Sequence, residues 1–258
     1  MKVCNLASGS KGNCTYIYTG KYNLLFDAGK NITYIDTELK SIGCSVVEID
    51  YVFITHTHSD HISALKPILK KSGATLVCSE AIFNELEELK DYNHVYLLEN
   101  DMELDDGTLI RSFRSSHDAT DSRNFVISNS GSSVAYITDT GYVNRNNFKM
   151  LENLSLYLFE SNHDIEMLEN GPYPVWLKKR VLSDNGHLSN NAAGFYLSKL
   201  IGDNTKKVLL IHLSETNNTP EKALETVYDT LKKYEIDFGN ISCAKQDEHT
   251  EVFDLWLK

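Results

Sequence analysis

The chain has 258 residues, a formal net charge of −11 and 41% hydrophobic residues, enough apolar content to bury one large α/β domain over residues 1–258. The acidic balance argues against a surface that holds nucleic acid by nonspecific electrostatics alone, because phosphate backbones reward clustered Lys and Arg; a nuclease whose cleft carries cations is still compatible with it. No run approaches the roughly 20 apolar residues of a membrane span, and the five cysteines (Cys4, Cys14, Cys44, Cys78 and Cys243) form no C-x-x-C pair, so the expectation is a soluble, cytoplasmic protein with reduced thiols.

Cys14–Tyr18 and Asn23–Asp27 read as a strand hairpin around a Gly-Lys-Tyr turn. Thr33–Ile42 has apolar positions at helical spacing, and Tyr51–Thr55 is a short buried strand. A helix over Ile62–Lys71, a strand at Leu76–Cys78 and an acidic amphipathic helix over Glu80–Lys90 complete a ββαβαβα order. Short strands follow at Val95–Leu98, Leu109–Phe113, Asn124–Ser128 and Val134–Thr138, bounded by Asp-Gly and Ser-Gly turns. Beyond them, helices near Arg145–Leu151, Ile165–Glu169, Asn190–Leu200 and Pro220–Tyr234 are interspersed with buried strands at Leu156–Glu160 and Val208–Ile211. Thr219 is the expected N-cap of the last helix, with Pro220 at its first position. Strand runs with flanking helices in both halves predict two mixed sheets packed face to face with helices outside, a four-layer αββα sandwich.

Chemistry concentrates directly after the strand at Tyr51–Thr55. There His56, His58, Asp60 and His61 fall within a turn-sized segment, and ligands at i, i+2, i+4 and i+5 on an irregular loop can fan toward two neighbouring ions. The helical H-E-x-x-H form of zinc proteases is absent. Four more polar residues stand at or beyond strand ends, where an α/β scaffold offers a rigid shared rim: His117, Asp139, His187 and His212. Six of the nine histidines belong to this set; His94, His163 and His249 are read as structural or surface residues.

The Thr-His-Thr-His-Ser-Asp-His run from Thr55 to His61 resembles the T-H-x-H-x-D-H motif of the metallo-β-lactamase-fold superfamily, and the resemblance extends over the chain. Later motifs find counterparts in order: Asp27 in Leu-Leu-Phe-Asp-Ala-Gly, then His117, Asp139 and His212. The resemblance implies one metal on His56, His58 and His117, a second on Asp60, His61 and His212, and Asp139 bridging both. Leu-Ala-Ser-Gly-Ser-Lys-Gly-Asn near the N-terminus, Phe-Glu-Ser-Asn-His-Asp after Leu156, Gly-Pro-Tyr-Pro before Trp176 and Gly-His-Leu-Ser-Asn at 186–190 look like the WalJ/YycJ branch. That branch is associated with phosphodiester cleavage and exonuclease action on DNA. Between Asp139 and His187 there is no room for the nucleic-acid clamp domain inserted in RNase J-type enzymes, so a substrate groove would be built from core loops.

The function expected on this basis is a phosphodiesterase, a 5′→3′ DNA exonuclease, using two divalent ions (zinc, manganese or iron) to ready a hydroxide for in-line attack. Asp60 and His187 are the catalytic candidates, His187 as a proton donor to the leaving oxygen or a phosphate contact. Asp27 is expected to hold a ligand imidazole and Glu160 to act on His187, each weighed against an ordinary strand-end role. Lys178, Lys179 and Arg180 could steer a phosphate backbone or merely form a solvated helix face. Ser8 to Asn13 could cradle a phosphate or be a plain glycine-rich turn. The alternatives are a thioester or lactone hydrolase with the same metals and a binding module without turnover. A flavodiiron-type redox role is disfavoured because His58 stands where those proteins resemble one another in using Glu.

Overall fold

The computed structural model describes residues 1–256. Strands β1 (Lys2–Ala7), β2 (Cys14–Tyr18), β3 (Asn23–Phe26), β4 (Tyr51–Phe53), β5 (Thr75–Cys78), β6 (Val95–Leu97) and β14 (Phe253–Asp254) form a seven-stranded sheet in the order β14-β1-β2-β3-β4-β5-β6. Strands β7 (Asp101–Glu103), β8 (Leu109–Arg114), β9 (Arg123–Asn129), β10 (Ser132–Ile137), β11 (Leu156–Glu160), β12 (Lys207–Ile211) and β13 (Ile241–Cys243) form the other, in the order β13-β12-β11-β10-β9-β8-β7. Both are mixed in the same sense. β1 to β3 and β7 to β10 pair antiparallel with their neighbours, whereas β3 to β6 and β10 to β13 run parallel.

Side-chain alternation decides which layer each residue joins. Leu24 and Phe26 of β3 and Phe53 of β4 face Phe125, Ile127, Val134, Tyr136, Leu156, Leu158, Leu209 and Ile211 of the second sheet in one central core. The intervening Leu25 and Val52 pack outward among Ile35 and Leu39 of α1 (Ile32–Ser41) and Leu65, Ile68 and Leu69 of α3 (Leu65–Ser72). Ala135, Tyr157, Phe159 and Leu210 pack outward against Ala193 and Leu197 of α8 (Asn190–Leu200) and Val227 and Leu231 of α9 (Pro220–Lys233). The result is the αββα sandwich, its central core knit by aromatic contacts such as Phe26 on Phe53 at 4.7 Å between ring centroids.

Local structure departs from the sequence reading in a few places. The helix expected over Ile62–Lys71 is two pieces, α2 (Ser59–Ile62) and α3, so Asp60 and His61 sit on a helical turn and only His56 and His58 lie on irregular chain. The expected helix over Glu80–Lys90 stops as α4 (Glu80–Glu85), followed by a 3₁₀ turn. α5 (Phe148–Leu151), α6 (Ile165–Asn170) and α7 (Val175–Val181) are short, and α7 covers the Lys178–Arg180 run. Among the described residues no helix is long and apolar enough to cross a membrane.

Asp36 fastens α1 to its surroundings. Its carboxylate accepts from the Val46 backbone N–H at 3.0 Å and from the Lys40 and Lys71 ammonium groups, each at 2.9 Å. These donors, the backbone N–H first, hold it well below the usual carboxylate range. A depressed carboxylate stabilises the fold above its unfolded pKa near 3.9 and loses that contribution as pH falls through the folded value. Asp36→Asn should therefore cost about 1–2 kcal/mol in urea unfolding at pH 7, and the gap between variant and wild type should begin to narrow below about pH 4 and shrink progressively as the pH falls further toward the folded value.

Candidate metal centre

The chemistry-bearing residues collect where the parallel strands end. Asp27 follows β3, His56 follows β4, Asp139 follows β10, Glu160 ends β11 and His212 follows β12. β8 and β10 both run antiparallel to β9, so His117, three residues beyond β8, reaches the same rim. The open ends of parallel strands are where α/β sheets place ligands. Asp27, Asp139 and His212 have φ of 60°, 49° and 56°, a left-handed conformation that non-glycine residues rarely adopt and that costs on the order of 1–3 kcal/mol each. Each turns the chain sharply off its strand at the rim.

His56 Nε2 lies 3.1 Å from His58 Nδ1, which lies 3.3 Å from His117 Nε2, so three ring nitrogens face one point. Beside them, His61 Nε2 is 3.5 Å from Asp60 Oδ2, and His212 Nε2 is 3.9 Å from the same oxygen. Asp139 stands between the two groups: Oδ2 is 3.2 Å from His61 Nε2, and Oδ1 is 3.7 Å from His117 Nε2 and 3.4 Å from His212 Nδ1. Within each trio, and within His56, His61 and Asp139, the donor atoms lie no more than 4.8 Å apart.

The residues fit bound metal for a reason beyond proximity. Every centre-facing imidazole except that of His58 has its other nitrogen held by the protein, which fixes tautomer and ring orientation. His61 Nδ1 donates to Asp27 at 2.8 Å, and His212 Nδ1 donates to Glu160 at 2.9 Å. His56 Nδ1 is 3.0 Å from the Thr55 hydroxyl, and His117 Nδ1 is 3.3 Å from the Gly186 carbonyl. His212 Nε2 is left buried without a hydrogen-bond partner, the condition of a nitrogen whose partner is an ion. Mixed imidazole and carboxylate donors suit zinc, iron or manganese.

Electrostatics follow from this crowding. Burial pushes the imidazoles of His56 and His117 below their ordinary range. At His61 and His212 burial acts in the same direction but is outweighed, at His61 by Asp27 and Asp139 and at His212 by Asp139 and Glu160, so both rise, His212 to about 9. At Asp60 burial works against the neighbouring imidazoles and loses to them, chiefly to His61, so its carboxyl is lowered.

Glu160 is wholly buried. Its Oε1 accepts from both His187 Nδ1, at 2.8 Å, and His212 Nδ1, at 2.9 Å; its Oε2 accepts from the backbone N–H groups of Thr140 and Leu188. Burial alone would raise this carboxyl, yet His187 and His212 bring it down to about 2. His187 is therefore tied through Glu160 to the same framework as His212, with its side chain 18% exposed at the edge of the cluster.

A family model described as beta-lactamase superfamily domain matches residues 22–213. The chain belongs to this family. It is 37% identical over 244 residues to exodeoxyribonuclease WalJ of Streptococcus pneumoniae, covering 92% of this chain and 91% of that protein. It is 34% identical over 233 residues to exodeoxyribonuclease YycJ of Bacillus anthracis, covering 88% of each. Among solved structures, the metallo-β-lactamase-fold protein YhfI of Bacillus subtilis superposes with a TM-score of 0.73 at 16% identity, covering 96% of this chain and 98% of that one. The sandwich is thus the metallo-β-lactamase fold of a metal-dependent hydrolase family.

Some members of the site escaped sequence reasoning. The Asn13 amide nitrogen lies 3.0 Å from His61 Nε2 and 3.3 Å from Asp60 Oδ2, while its Oδ1 accepts from the Gly9 N–H. The Ser8 hydroxyl accepts from the His212 N–H at 2.7 Å, so the Ser8 to Asn13 turn braces the rim. Tyr136, an apparent core residue, donates its hydroxyl to Asp27 at 3.1 Å. Gly29 lets two backbones meet: a Cβ there would stand 1.6 Å from the Asp60 carbonyl oxygen. Of the basic run, Arg180 pairs with Asp118, whose Oδ1 is 3.4 Å from His117 Nε2, and Lys178 donates to the Glu169 carbonyl. His94 is exposed and His249 pairs with Glu38, but His163 is 1% exposed with neither ring nitrogen partnered among the described residues.

Proposed function

We propose that this chain is a phosphodiesterase that digests DNA from an end, in the 5′→3′ direction, with two divalent cations. The Glu160–His187 pair at the margin of the histidine cluster carries the reading, supported by the identity to two proteins named exodeoxyribonucleases. Acyl transfer at a thioester or lactone has no need of such an additional acid beside the metals. His56, His58 and His117 would hold one cation, Asp60, His61 and His212 the other, and Asp139 would touch both. When bound, such a pair lowers the pKa of a water and neutralises nonbridging phosphate oxygens as charge builds.

The remaining work falls to the chain's own side chains. Asp60, whose carboxylate is 22% exposed, orients the attacking water from the open side of the cluster. Asp27 holds the His61 ring through Nδ1, and Thr55 and Tyr136 hold Asp27 in turn. His187, fixed at Nδ1 by Glu160, presents its other nitrogen to the leaving oxygen and gives it a proton. Loops of the core line the approach, without an inserted clamp domain.

The test is digestion of end-labelled single- and double-stranded DNA and RNA, carrying 5′-phosphate or 5′-hydroxyl ends, after reconstitution with zinc, manganese or iron. A ladder from the 5′ end of DNA that requires a divalent cation is expected, and His187→Ala should slow it on the order of 100- to 1,000-fold. Intact DNA beside rapid hydrolysis of S-lactoylglutathione would overturn the proposal.

A further inference from the structure

We infer that α7 is a strand-guiding platform on which the Trp176 ring stacks a base of the substrate next to the nucleotide being cleaved. This rests on the nuclease reading above. Of the ten large hydrophobic side chains that stand exposed among the described residues, Val175, Trp176 and Leu182 belong to α7 and its end, and Trp176 is 67% exposed. An indole so open to water contributes nothing to a core. Tyr142, another of the ten at 41% exposed, lies just past Asp139, on a turn whose Gly141 packs against the backbone of Ser183 and Asp184. The exposed rings therefore sit on chain segments tied to the metal-centre rim.

The helix itself links Trp176 to the cluster. Trp176 and Arg180 are four residues apart and share a face, about 6 Å along the axis. Arg180 clasps Asp118, with Nη2 donating to Oδ1 at 3.0 Å, and that same Oδ1 is 3.4 Å from His117 Nε2. At the end of the helix, Gly186 accepts from His117 and His187 N–H donates to the Val181 carbonyl. One turn of helix thus separates the indole from a guanidinium anchored at the centre, a spacing that suits a neighbouring nucleotide.

Charge selects the occupant. The chain is strongly acidic, yet α7 reads Val-Trp-Leu-Lys-Lys-Arg-Val without a carboxylate. Lys179 is exposed and three residues from Trp176, and its ammonium makes no hydrogen bond or ion pair among the described residues. A π-face beside a free ammonium is the combination that tracks single-stranded nucleic acid without reading its sequence.

The experiment uses the metal-loaded full chain. Trp176→Ala should raise KM for a single-stranded oligonucleotide about tenfold or more, and Trp176→Phe should recover most of it. Abasic residues near the 5′ end should weaken wild type by a similar factor and erase its difference from Trp176→Ala, the mark of a direct pair. The only other tryptophan is Trp256, so in Trp256→Phe a nuclease-resistant phosphorothioate oligonucleotide should quench the remaining indole fluorescence. Unchanged KM with unquenched fluorescence would overturn the inference. So would a Trp176→Ala variant that only lost self-association in light scattering, which would make the patch a contact between copies. Should wild type leave DNA uncut, the nuclease reading fails by itself, and the quenching titration still decides whether Trp176 meets a strand.

Discussion

Asp139→Asn should lose most of its bound cation and about a thousandfold or more in kcat/KM toward DNA, a barrier increase of about 4 kcal/mol. Among the described residues it is the carboxylate whose oxygens approach rings of both trios, His61 and His212 on one side and His117 on the other. Burial alone would favour the neutral acid, but His212 and His61 outweigh it and hold the group well below the usual carboxylate range. Asparagine keeps the shape and removes the charge, while its NH2, which has no lone pair to offer a cation, would take the place either of the oxygen near His117 and His212 or of the one to which the Thr138 hydroxyl now donates at 2.6 Å. Elemental analysis together with steady-state kinetics checks both halves of this expectation. A variant with full metal content and a rate within about threefold of wild type would remove Asp139 from the centre.

The parts of this design that were legible are those written locally. Thr55 to His61 is one contiguous stretch after an apolar run, and Asp139 and His212 each stand just past a buried apolar run, so the residue types alone betray the rim. Continuous apolar runs in Asn23–Phe26, Leu156–Glu160 and Lys207–Ile211 likewise mark buried strands, because each has apolar neighbours on both faces. What stayed hidden depends on distant partners. Tyr136 looks like any inward-facing strand residue until Asp27, 109 positions away, accepts a hydrogen bond from its hydroxyl. Asn13 lies in a glycine-rich turn whose purpose emerges only when Gly29 brings the Asp60 backbone against it. The strand Lys2–Ala7 was missed because Asn5 breaks its apolar run, and Phe253–Asp254 because two residues carry no period. α7 lacks an apolar stripe, having one buried residue, Val181, so only the Lys178–Arg180 run hinted at a helix face and the bounds of the helix stayed hidden.

Glu160→Gln should lower kcat/KM for oligonucleotides about 100- to 1,000-fold and destabilise the fold by about 3 kcal/mol, although it changes a single atom. Four donors converge on this carboxylate: two ring N–H groups on Oε1 and the backbone N–H groups of Thr140 and Leu188 on Oε2. A glutamine can satisfy one pair but not both. With its oxygen toward the histidines its NH2 meets two backbone donors, and flipped it meets two imidazole donors, so either orientation leaves buried N–H groups facing an N–H. A loss of packing alone would slow every substrate equally. If Glu160 works by holding His187 as a proton donor, the loss depends on the leaving group, because p-nitrophenolate departs without a proton and a nucleoside alkoxide does not. Bis-p-nitrophenyl phosphate should therefore suffer at least about tenfold less than DNA in Glu160→Gln, and His187→Ala should show the same disparity. Equal losses on both substrates would assign the pair to holding His212 in place, with no proton passed to the leaving group.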